Sequence, residues 1–227
     1  FPYCVSDKDF NDEIYDGLLK DFPIIDDQRL GQEKFQGGRV RISRGSTEYK
    51  ELLKKSEYFN NLDKYLSGIK FPNYIKALFG LTHDQTKKNF LNQKIKTKIN
   101  HLYSKIFNKN PYSLSIDISI SGKGYVNKIH NDRNHRYLIM LIFFSDKNEE
   151  NMTGGDFIAH KFKSENNSYD FSNDRFFNEH ECEVLETISP QHNRGVIFLN
   201  TEQSLHSVNE IKNITGQRKF IYIALNY

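Results

Sequence analysis

One set of residues in this chain has the types and order needed to bind a redox metal. His130-Asn131-Asp132 sets an imidazole and a carboxylate two residues apart. On an extended strand such residues point to the same side. His206 lies far along the chain, at the edge of another strand-like run. Two histidines and one carboxylate form the face that holds Fe(II) and leaves positions open for a cosubstrate and dioxygen. Arg218 follows twelve residues after His206 and begins the last strong strand pattern. A guanidinium there could clamp the distal carboxylate of a dicarboxylate through two parallel hydrogen bonds. The chain holds 8 histidines, so a His-x-Asp pair also arises by chance in surface loops. The weight therefore rests on context: His130 ends one strand pattern, His206 sits between two, and Arg218 opens a further one.

The second half of the chain reads as the scaffold for these residues. Ser113 to Ile120 alternates cleanly, with Leu114, Ile116, Ile118 and Ile120 on one face and serines with Asp117 on the other. Ser121-Gly-Lys-Gly124 is a turn, and Tyr125 to His130 a second strand. Tyr137 to Phe144 is apolar at every position, which predicts a central strand covered on both sides. Gly154-Gly155 precedes a strand from Asp156 to Ala159. Val184–Ile188, Val196–Leu199, Leu205–Val208 and Arg218–Asn226 complete about eight strands. Many short strands with tight turns predict a β-sandwich or barrel with helices packed outside.

The first half reads mainly as helix. Ser6 is a candidate cap for a helix carrying Phe10, Ile14, Leu18 and Phe22, stopped by Pro23. Arg39 to Ile42 is strand-like. Ser46 and Ser56 can cap two further helices, the second presenting Phe59, Leu62, Leu66 and Ile69 until Pro72 interrupts it. A long polar helix is expected from about Thr82 to Phe107. The segment from Lys87 to Lys109 holds seven lysines and no acid, which reads first as a solvated helix face.

In its second half the sequence resembles the prolyl-hydroxylase-type branch of the Fe(II)- and 2-oxoglutarate-dependent oxygenases. The resemblance spans roughly residues 113 to 227. It is carried by His130-Asn-Asp132, the Gly154-Gly155-Asp156 step, Ser189-Pro190-Gln-His-Asn193-Arg194 leading into Val196-Ile-Phe-Leu199, Ser204-Leu-His206-Ser-Val208, and Arg218. Phe1-Pro-Tyr and Asp21-Phe-Pro23 are similar to the helical start of such proteins. The resemblance implies a mainly β fold, a double-stranded β-helix (jelly roll) flanked by N-terminal helices. It implies a single oxygenase domain over 1–227, with 1–112 as helical support and 113–227 as core. It further implies Fe(II) on His130, Asp132 and His206, with 2-oxoglutarate as cosubstrate paired to Arg218, and dioxygen as oxidant. The carboxylate Asp132, in place of the small residue of related halogenases, favours hydroxylation. The sequence departs from many relatives at Phe220, where a serine commonly shares the cosubstrate carboxylate. It departs also at Tyr125, which is closer to His130 than the usual tyrosine.

The expected reaction is a dioxygenase hydroxylation of an unactivated C–H bond in a prolyl or other peptide residue. A small molecule, such as a sugar derivative, an amino acid or a natural-product intermediate, is the alternative substrate. A non-catalytic binding module is the remote one. Arg136 and Asn134, just after the metal pair, are candidate substrate contacts. A net charge of +3 is too small to argue for nucleic acid, and no apolar run reaches the ~18 residues of a membrane helix. Cys4 and Cys182 form no CxxC pair, so reduced thiols in a cytoplasmic protein are the simplest reading.

Overall fold

The computed structural model describes residues 1–26, 29–30, 38–80, 112–145, 152–164 and 176–226. The long lysine-bearing helix expected at 82–107 lies outside these residues, as does the middle of the polar 163–180 segment.

Among the described residues, ten strands form two antiparallel sheets. They are β1 (Tyr3–Ser6), β2 (Arg39–Ser43), β3 (Ser113–Ser121), β4 (Asn127–His130), β5 (Arg136–Phe144), β6 (Phe157–Phe162), β7 (Cys182–Ile188), β8 (Gly195–Leu199), β9 (Leu205–Val208) and β10 (Arg218–Asn226). The large sheet runs β1-β8-β5-β10-β3-β2 and the small one β4-β9-β6-β7. Two facing antiparallel sheets with this strand distribution make a jelly roll. Apolar from Tyr137 onward, β5 is an interior strand, paired with β8 on one side and β10 on the other. Its alternation divides two cores. Leu138, Ile142 and Phe144 join the core under the helices, whereas Ile139, Leu141 and Phe143 join the core between the sheets.

Among the described residues of the first half are the helices α1 (Asp12–Lys20), α2 (Thr47–Lys55), α3 (Glu57–Ser67) and α4 (Lys70–Leu78). Both expected serine caps are present: Ser46 Oγ accepts from Tyr49 N at 3.1 Å and Ser56 Oγ from Phe59 N at 3.2 Å. Phe59, Leu62 and Leu66 are buried as their spacing requires. Two local expectations are corrected. Ser6 ends the edge strand β1, paired to β8, and the α1 cap is Asn11, whose Oδ1 accepts from Ile14 N. Pro72 breaks no helix, because α3 already ends at Ser67 and Pro72 sits in the first turn of α4. No intrahelical N–H is required at that place.

The N-terminal segment is clipped to the barrel by Asn193. Its backbone is left-handed, with φ 57°, a conformation asparagine tolerates. Its side chain accepts from Phe10 N at 3.0 Å and donates to Phe10 O at 2.8 Å. The Asp9 carboxylate is drawn into this joint against Gly195, and burial pushes its pKa up to about 6. Between pH ~4 and ~6 the folded chain therefore holds a proton that the unfolded chain has lost, so stability falls as pH rises through that window. Asp9→Asn is expected to remove the loss. It should raise the melting midpoint at pH 7.5 by about 5 °C, from roughly 2 kcal/mol, and change it little at pH 4. Equal shifts at both pH values would refute this account.

Candidate metal and cosubstrate site

The jelly roll brings His130, Asp132, Arg136, His206 and Arg218 to the lining of one cavity of about 200 Å³ between the sheets. Asn134 is placed elsewhere, in an exposed turn that does not line it. His130 and His206 are direct cross-strand partners on β4 and β9, with ring centroids 4.2 Å apart. His206 lies against Phe157 and Phe198, at 5.4 and 4.9 Å between centroids. Asp132 Oδ2 is 3.8 Å from His206 Nε2, and Asp132 Oδ1 accepts from the Arg136 guanidinium.

The hydrogen bonds set the tautomers. His130 Nδ1 lies 2.8 Å from the Lys128 carbonyl oxygen, and His206 Nδ1 lies 3.0 Å from that of Ser204. A carbonyl oxygen can only accept, so each Nδ1 carries the proton and each Nε2 keeps a lone pair. Asn127 Nδ2 stands 3.3 Å from His130 Nε2, in agreement with that assignment. Among the described residues no three His, Cys, Asp or Glu side chains already stand at the spacing of a closed metal cage. Closing one here requires His130 Nε2 to leave the Asn127 amide. The donor chemistry nevertheless fits a divalent iron. It consists of two neutral imidazoles oriented through Nδ1, and one carboxylate oriented by an arginine.

Arg218 opens β10 opposite Ser121 of β3 and is only 3% exposed. Its Nε and Nη1 meet no hydrogen-bond partner. Burial lowers its pKa to about 10, so it remains a cation at neutral pH. Aromatic faces surround it: Phe220 at 4.6 Å, Phe143 at 5.1 Å and Tyr125 at 5.8 Å from the guanidinium carbon. A buried charge without hydrogen bonds is expensive. The aromatic quadrupoles offset part of that cost and leave the N–H groups for another acceptor. Phe220, in place of the serine common in the family it resembles, thus lies beneath the arginine as a platform. Gly155 makes room for it: a Cβ at that position would lie 3.1 Å from Arg218 Cδ and 3.3 Å from Nε. Arg218 also borders a second cavity of about 360 Å³ on the side of Gly154 and Asp156.

Several cavity residues escaped the sequence reading. Tyr222 follows Arg218 on the same face of β10, its hydroxyl is buried without a hydrogen bond, and desolvation raises its pKa well above normal. Period-two alternation from Arg218 would have pointed to it. Arg39, Arg41 and Asp117 also line the cavity. β2 carries the two arginines opposite the serine and aspartate face of β3, and no local signal told which strand β2 would join. Arg133 lies at the same mouth.

Residues 116–224 match the family model of the 2OG-Fe(II) oxygenase superfamily. Among solved structures, a prolyl 4-hydroxylase from Phytophthora capsici is similar at 14% identity with a TM-score of 0.53, over 99% of this chain and 58% of that one. The chain thus spans little more than half the length of that relative, and the likeness establishes the fold. A prolyl-4-hydroxylase from Pseudomonas putida aligns over 99% of this chain and 91% of its own at 11% identity and a TM-score of 0.46. No curated protein matches the chain by sequence. Among the described residues no helix is long and apolar enough to cross a membrane, and Cys4 and Cys182 are free thiols.

Proposed function

We propose that this chain is an Fe(II)- and 2-oxoglutarate-dependent dioxygenase that hydroxylates a C–H bond in a prolyl or other peptide residue. In this reading residues 1–227 act as one oxygenase domain. His130 Nε2, Asp132 and His206 Nε2 hold the iron, and Arg218 holds the distal carboxylate of the cosubstrate. The observation that carries the reading is Arg218 itself: a buried guanidinium with unbonded N–H groups, lining the same cavity as the two histidines and the aspartate. A dicarboxylate would satisfy those groups and neutralise the charge. The family match supplies the class of chemistry, and the fold shared with a prolyl 4-hydroxylase supplies the peptide reading.

Bound there, Fe(II) with 2-oxoglutarate and dioxygen supplies oxidation of an unactivated C–H bond, the cosubstrate leaving as succinate and carbon dioxide. The chain's own residues prepare the site. The carbonyls of Lys128 and Ser204 hold the two imidazoles in the ligating tautomer. Arg136 holds one oxygen of Asp132 and stacks on Tyr222 at 5.1 Å, leaving the other oxygen on the His206 side. Ile139, Leu141 and Phe157 line the apolar wall and limit water. The test is succinate formation from 2-oxoglutarate under Fe(II), with peptide added, in the parent protein and in His206→Ala.

Gly155 tests the cosubstrate half separately. Its φ is +76°, and an alanine there would meet both backbone strain and the Arg218 side chain. Gly155→Ala is expected to raise the 2-oxoglutarate half-saturation concentration about tenfold, the loss of ~1.4 kcal/mol from a displaced clamp, with metal affinity unchanged. A parallel fall in metal affinity would show a general disruption instead.

A further inference from the structure

The mouth of the site cavity is strongly basic. Five arginines line it against two aspartates, Asp117 and Asp132, a formal excess of three positive charges with the histidines neutral. Arg218 lies deep and Arg136 is committed to Asp132. Arg39 donates to Ser119 Oγ at 2.8 Å and lies over Phe220 at 4.8 Å. Arg41 and Arg133 are the exposed members of the lining and come from separate segments: Arg41 from the edge strand β2, Arg133 from the segment between β4 and β5. Loading the site does not remove this excess, because a divalent cation and a dicarboxylate cancel each other.

We propose that the substrate is an acidic peptide, with carboxylate side chains flanking the residue that is oxidised and meeting the arginines of the rim. This rests on the oxygenase reading above and adds the substrate's charge to it. Three observations favour it. First, a cavity of about 200 Å³ is below the ~300–1,000 Å³ of pockets that enclose a whole small ligand, so it suits a cosubstrate and one inserted side chain. Second, Arg41 and Arg133 are the solvent-exposed part of the lining, so a substrate that extends from the cavity into solvent meets them. Third, they come from two separate chain segments, β2 and the β4–β5 connection, so an extended substrate can be met by more than one charge. Their charge would attract an acidic segment during encounter and reject a basic one.

The experiment uses the full chain and three fluorescein-labelled peptides that share a central proline, flanked on both sides by glutamate, glutamine or lysine. Fluorescence anisotropy reports binding without turnover, and 2-oxoglutarate binding is measured on the same preparations. The glutamate peptide is expected to bind at least about tenfold more tightly than the glutamine peptide. That advantage should shrink as ionic strength rises, with the lysine peptide weakest. Arg133→Glu should reverse the order of the glutamate and lysine peptides. Its side chain is exposed, while the contacts at that position, from Arg136 N and Asn200 Nδ2, are to the backbone oxygen and survive the change. Arg41→Glu, on β2, is the second variant and should shift the order in the same direction. If all three peptides bind alike, or free glutamate competes as well as the glutamate peptide does, the proposal is overturned. Absence of 2-oxoglutarate binding overturns the oxygenase reading instead, and the peptide order still decides the charge of the partner.

Discussion

His206→Ala is expected to abolish 2-oxoglutarate turnover, lowering succinate formation by at least ~1,000-fold. Losing a group that merely orients a metal ligand costs about 10–100-fold, and loss of the ligand itself must cost more. His206 offers Nε2 toward Asp132 while Nδ1 is held by Ser204, so no neighbouring nitrogen replaces it at the same place. Alanine also opens space between Phe157 and Phe198, which would cost the fold on the order of 1–3 kcal/mol. The decisive measurement therefore pairs the succinate assay with Fe(II) or Mn(II) affinity and a thermal melt. A folded variant that has lost metal affinity and turnover is the expected result. Unchanged turnover in a folded variant would show that the metal is held elsewhere.

The second large effect has opposite signs in its two readouts. Arg218→Met should weaken 2-oxoglutarate binding by ~100-fold or more, because losing a buried charge-assisted pair costs about 2–5 kcal/mol. The same change should leave the cosubstrate-free protein equally or more stable. Arg218 is buried with Nε and Nη1 unbonded, and burial already depresses its pKa to about 10. Methionine removes that desolvation cost and packs against Phe143 and Phe220, the rings now under the guanidinium. A stabilised protein that no longer binds cosubstrate is the signature of a residue kept for function at the expense of the fold. A melting temperature that drops with cosubstrate affinity intact would show instead that Arg218 serves packing alone.

Much of this was legible in the sequence because its signals are local. Alternation in Ser113–Ile120 and the unbroken apolar run Tyr137–Phe144 reflect the period of a strand and the burial of both its faces, so β3 and β5 appear where expected. Ser46 and Ser56 act within three residues of themselves and cap as read. Ser6 misled because the contest between a cap and a strand was settled by β8, nearly two hundred residues away. Asn193 reads as a turn residue, yet its side chain is the clip for Phe10.

The sequence by itself determined the strand pattern, the His-x-Asp pair, the distant His206 and the arginine that opens the last strand. Each of these depends on spacing along one segment or on residue type alone. Only the tertiary structure decided that His130 and His206 face each other across β4 and β9, that Arg218 is buried without hydrogen bonds at Nε and Nη1, and that Gly155 must stay small beneath it. It also decided that β2 would carry Arg39 and Arg41 from the helical half to the mouth of the cavity. Those facts arise from pairing between segments distant in sequence, and no local pattern records which partner a strand will find.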